Sequence, residues 1–186
     1  MPPAHPATVH FPIAFLSLAY GLDILHTVKP NLPGSVTSYI PADFDLTRAS
    51  YYLLSLGLLT AIPAVVTGGQ QAVKLFARQG MYEADGKTLK IKTKATIAHA
   101  VVNDIALAAS AYVWYAKHQA ANSTIVGKLG LSSEALYAPA LWMVAAQVIT
   151  FGLLLFGASI GGALTYQYGV GFSAVGTSNN VGKKSK

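Results

Sequence analysis

Four long apolar stretches separated by polar ones set the pattern of the chain, over residues 9–26, 51–73, 95–116 and 136–160. Each is near the ~20 residues that an α-helix needs to cross a hydrocarbon core of about 30 Å. The pattern predicts an all-α fold: an integral membrane four-helix bundle, one four-span domain over 1–171. The first stretch is the shortest and carries Asp23 near its end, where the acid is expected to reach interfacial water. At its start, Thr8 is placed to cap the first turn, and Pro12 falls early enough for its missing N–H to be tolerated. Pro63 in the second stretch frees the carbonyl of Leu59 and is expected to bend the helix. No internal repeat is evident.

The polar connections differ in character. The first, 27–49, holds Pro30, Pro33, Gly34 and Pro41, then Asp43, Asp45 and Arg48, and reads as an irregular surface segment. The second, 74–94, is strongly basic and carries an Asp85-Gly86 turn. The third, 117–135, is short and polar, which places Lys117 outside the membrane. The last residues, 172–186, read as a flexible basic tail.

Composition sharpens this picture. The chain is 53% hydrophobic and 11% charged, whereas a soluble domain has about 25% charged residues. So little charge cannot cover a water-facing surface. The net charge of +6 does not point to nucleic acid, because the basic residues are not spread over one face; it reads as topology. With four crossings, both termini share a side with the 74–94 connection. That side has Lys74, Arg78, Lys87, Lys90, Lys92, Lys94, Lys183, Lys184 and Lys186, against Lys29, Arg48, Lys117 and Lys128 on the other. The positive-inside rule then places both termini in the cytoplasm, or in the matrix of a mitochondrial inner-membrane protein. Tyr51, Tyr52, Tyr112, Trp114, Tyr115, Tyr137 and Trp142 fall near the less basic boundary, as an aromatic belt would. The absence of cysteine excludes disulfides, thiolate metal sites and cysteine-bound iron–sulfur clusters. No Lys or Arg occurs before Lys29, so neither a secretory signal nor an Arg-rich presequence is expected.

Connectivity gathers the candidate chemistry at the basic end. His10 begins helix one and His99 helix three, while Gly68-Gly69 ends helix two and Gly161-Gly162 with Tyr166 ends helix four. His10 and His99 form a candidate axial pair for a b-type haem, with glycines admitting a flat ring. The alternative, and the expectation preferred here, is that no cofactor is bound and these histidines join helix ends by hydrogen bonds. His26 and His118 form a second pair at the far end, which solvation explains, and His5 with His10 is a weak surface-metal signal. Asn103-Asp104 places an acid within helix three, where it either relays a proton or bonds Thr67, Gln70 or the backbone of helix two. With no intramembrane Lys or Arg as partner, the structural bond is preferred. Helix three is rich in alanine, and Gly157 and Gly161 form a GxxxG pair, so close helix packing is expected. No nucleophile elbow, P-loop, dinucleotide fingerprint or zinc-protease motif occurs.

The segment His5-Pro6…Val9-His10-Phe11-Pro12-Ile13-Ala14 resembles the opening signature of the DUF2231 family of transmembrane proteins. Gly57…Gly68-Gly69, Ala98-His99-Ala100…Asn103, and the run from Gly161 to Gly171 agree with it. The resemblance implies a four-helix membrane fold and carries no activity. In size and four-span layout the chain is also similar to a fungal-type accessory subunit of mitochondrial respiratory complex I. That likeness implies a non-catalytic structural subunit of the inner membrane, whose partners are membrane lipids and the other subunits. A small haem-binding electron carrier and a proton-conducting protein centred on Asp104 stand as the alternatives; the shortage of buried polar groups argues against conduction.

Overall fold

A computed structural model describes residues 4–123 and 136–170. The helices are α1 (Ala4–Thr8), α2 (His10–Val28), α3 (Gly34–Thr37), α4 (Asp43–Gln79), α5 (Ile91–Ser123) and α6 (Leu141–Tyr166). Four spans are long and apolar enough to cross a membrane: His5–Asn31, in which α1 runs into α2, then α4, α5 and α6. No strand occurs among the described residues. The flexible-tail expectation for 172–186 lies outside them, as does Lys128.

Helix ends depart from the hydropathy pattern for local reasons. Hydropathy marks the part of a helix that sits in hydrocarbon, whereas hydrogen bonding sets where it stops. Helix α4 therefore begins eight residues before the apolar stretch. There Asp43 and Asp45 face the positive end of the helix dipole, and the Ala42 carbonyl accepts from Asp45 and Leu46 N–H. What reads as the acidic end of an irregular connection is thus helix. At the other end α4 runs on through Lys74 and Arg78 to Gly80, which has φ 67° and stops it. Helix α6 starts at Leu141 and not at 136, because Pro139 cannot continue a helix and disfavours it one residue earlier. Thr8 is not a cap: its hydroxyl donates to the His5 carbonyl at 2.9 Å, and α2 starts after Val9 without a side-chain cap.

The basic connection is a compact turn. Tyr82 and Leu89 pair in antiparallel fashion around Asp85-Gly86. The Asp85 carboxylate accepts from the Thr88 hydroxyl and from the N–H groups of Thr88 and Lys87. These bonds, that to the Thr88 hydroxyl foremost, hold its pKa below the usual carboxylate value. The Lys90 ammonium donates to the Gln79 carbonyl and ties the turn to the end of α4.

The four spans pack in a ring in which α2 lies chiefly against α4, and α5 chiefly against α6. Weaker contacts between α4 and α5 and between α2 and α6 close it, so α2 and α5 face each other diagonally. Leu16, Ala19 and Tyr20 of α2 meet Leu54, Ala106, Val113, Met143 and Leu154 in the core. Leu59, Ile62, Val73, Ile105, Ile149 and Phe156 stand exposed around the outside, as lipid-facing residues do. His5, near the start of the described residues, and Val170, at their end, line one common cavity, at the end of the bundle that carries the basic turn.

Candidate functional site

That cavity, of about 470 Å³, is walled by residues of all four spans. Two imidazoles from the diagonally opposed spans meet in it. The rings of His5 and His99 are 6.1 Å apart between centroids and nearly perpendicular, at 84°. The two are held in the same way. His5 Nδ1 lies 2.9 Å from the Ala64 carbonyl of α4, and His99 Nδ1 lies 2.9 Å from the Gly157 carbonyl of α6. A glycine follows four residues after each acceptor. In a helix the side chain at i+4 leans back over the carbonyl at i, so its absence opens that carbonyl to a ring from another helix. A Cβ on Gly68 would come within 2.8 Å of the His5 ring, and one on Gly161 within 2.9 Å of the His99 ring. A carbonyl only accepts, so each Nδ1 carries a proton, which in a neutral ring leaves the lone pair on Nε2. No hydrogen-bond partner for either Nε2 occurs among the described residues.

His10, the residue paired with His99 by sequence, is exposed in the cavity wall. The ring against His99 is that of His5. Thr67 Oγ1 lies 3.1 Å from Thr8 Oγ1 and so links α1 to α4. Asn103 donates to the His99 carbonyl at 2.7 Å, and its amide occupies the space that a Cβ on Gly157 would need. Gly69, Gly162 and Tyr166 line the cavity with Pro12, whereas Pro63 sits behind, its carbonyl accepting from Thr67 at 2.8 Å. Asp104 behaves otherwise than expected. It is exposed at the border of the cavity and makes no side-chain hydrogen bond or ion pair with Thr67, Gln70 or any other described residue.

The second polar cluster lies deep at the far end, and sequence reasoning missed it. Asp23 and Lys117, both with side chains 0% exposed, form an ion pair in which Nζ donates to both carboxylate oxygens at 2.7 Å. Lys117 also donates to Ser50 Oγ at 3.1 Å, and Gln147 Nε2 donates to Asp23 at 2.7 Å. All four spans contribute one group. Lys117 is therefore not in a polar connection, and Asp23 does not reach water; α5 continues past the hydropathy boundary to Ser123 and carries the lysine inward. One turn nearer the centre, Tyr20 donates to Ser110 at 2.5 Å. His118 does not pair with His26. It stacks on Trp114 at 5.3 Å and shares a 2.8 Å bond with the Tyr51 hydroxyl, while His26 faces Asp43 at 3.6 Å.

A spacing recurs in this geometry. Asp23 follows His5 by 18 residues and Lys117 follows His99 by 18, so both diagonal pairs relate equivalent positions of the first and third spans. Ala64 with Gly68-Gly69 and Gly157 with Gly161-Gly162 are equivalent on α4 and α6.

These features define the class: a four-span α-helical integral membrane protein with polar diagonal contacts near each end. The family described as "Predicted membrane protein (DUF2231)" matches residues 1–174, and the chain belongs to that family. No curated protein and no solved structure matches the chain significantly.

Proposed function

We propose that the protein is a non-catalytic accessory subunit of a larger membrane assembly, with mitochondrial respiratory complex I as the assembly its sequence resemblance indicates. On this reading it sits in the inner membrane with both termini in the matrix. The observation that carries the reading is Asp104, an exposed acid well inside α5 with no partner among the described residues. Placing an acid at mid-membrane costs roughly 2.5–3.5 kcal/mol even on insertion scales, and such residues normally pair or face protein. Beside it on α5, Ala108 and Ala111 are exposed on the same face, small enough for another helix to approach closely. A neighbouring subunit that donates to Asp104 accounts for both. After gentle solubilisation the protein should migrate on a native gel with an assembly far larger than its own 19.5 kDa. Asp104→Leu should release it while leaving it folded. Migration of the wild type only as a monomer or small homo-oligomer, with the respiratory complexes intact, would overturn the reading.

One observation favours a second reading, a b-type haem with His5 and His99 as axial ligands. Both rings carry a proton on Nδ1, bonded to a carbonyl, and offer Nε2, the arrangement usual for ligating histidines. Their rings, 6.1 Å apart between centroids, share a cavity with Gly68 and Gly161. The subunit reading expects the pure protein to be colourless. A Soret band in protein from haem-replete cells, lost in both His5→Ala and His99→Ala, would replace it.

A further inference from the structure

We infer that the cavity at the basic end is a phospholipid site, selective for an anionic headgroup. Its walls are dominated by apolar side chains, with Val9, Ile13, Leu16, Val65, Leu107 and Leu154 among them. An aqueous metabolite gains little from such a lining, whereas an acyl chain does. Position then selects the head. Lys92 lies one turn before Thr96, whose hydroxyl donates to the Lys92 carbonyl at 2.8 Å. The spacing Lys92, Thr96, His99, Asn103 puts the lysine on the cavity-lining face of α5, toward the membrane surface. Lys74 and Arg78 lie in the last two turns of α4, which leads into the same basic turn. A lysine beyond the mouth of an apolar gap between transmembrane helices suits a phosphate there with its chains inward.

Gly69 and Gly162 keep the wall open, since a Cβ on either would meet nothing within 4 Å. The site is independent of the subunit reading: it needs the cavity and its rim, not a partner.

The test reconstitutes the protein in vesicles of equal parts dioleoyl phosphatidylglycerol and dioleoyl phosphatidylcholine. The protein is then extracted in mild detergent and the retained lipid is measured by native mass spectrometry. The wild type should retain phosphatidylglycerol over phosphatidylcholine by roughly five-fold, the effect of one lysine near an anionic surface. Lys92→Gln should keep the lipid but lose most of that preference. Ala158→Phe and Val65→Trp, which place bulk in the cavity wall at exposed positions, should lose both lipids while unfolding at the wild-type temperature. Equal retention of the two lipids by the wild type overturns the inference. So does full retention in whichever filled variant remains folded, or an undiminished preference in Lys92→Gln.

Discussion

Lys117→Met will be among the most destabilising single substitutions in this protein. Among the described residues it removes the only cation bonded to Asp23 and leaves the carboxylate with Gln147 as its remaining side-chain donor, at 0% exposure. Breaking a buried ion pair by deleting one partner costs about 3–5 kcal/mol, because the survivor stays desolvated without compensation. Asp23→Leu should cost a similar amount by stranding the ammonium, whose other bond is to Ser50. The double variant Asp23→Leu/Lys117→Met should recover most of the loss, since well-packed apolar groups of like volume can replace such a pair with little penalty. Denaturant unfolding in detergent micelles, followed by circular dichroism, reads all three. A Lys117→Met protein within about 1 kcal/mol of wild type would mean that the pair is not closed to water. Recovery in the double variant separates a charge effect from loss of packing, because the two single variants then fail to add.

The hydropathy pattern carried the number of spans, and the count put both chain ends at one end of the bundle. It could not carry the ion pair. Asp23 and Lys117 each sit where an apolar run fades, and a charge at such an edge reads as the edge itself. The signal that would have found them is spacing: each stands 18 residues after a histidine, in helices one and three alike. Paired glycines stand likewise near the ends of helices two and four. The histidine pair was missed by one step for a related reason. The apolar pattern starts helix one at Val9 and leaves His5 outside it, whereas the span begins at His5 itself. Asp104 was legible as an intramembrane acid, but which way it faces depends on how α5 is rotated. That rotation follows from the diagonal contacts, which no local pattern encodes.

The glycines divide into those the bundle uses and those it does not, and Gly57 tests the division most severely. A Cβ at this position would lie 2.6 Å from Leu16 Cδ2, 2.7 Å from Leu16 Cγ and 3.2 Å from the Leu16 backbone nitrogen. The last distance matters most. A side chain can turn aside, but a backbone atom moves only if the whole of α2 does, and Leu16 is fully buried at the core. Gly57→Ala therefore forces α2 and α4 apart along their main contact and should lower stability by about 1–3 kcal/mol, despite alanine's better helix propensity. Gly152→Ala is the control, since its Cβ would meet nothing within 4 Å, and it should stay within about 0.5 kcal/mol of wild type. Trimming the obstacle should not rescue the fold. Leu16→Ala alone costs about 2–5 kcal/mol through the cavity it leaves. In the double variant the alanine at 57 still faces the Leu16 backbone nitrogen, so the pair should remain below Gly57→Ala alone. If Gly57→Ala unfolds at the same denaturant concentration as Gly152→Ala, the close approach of α2 and α4 at this point is wrong.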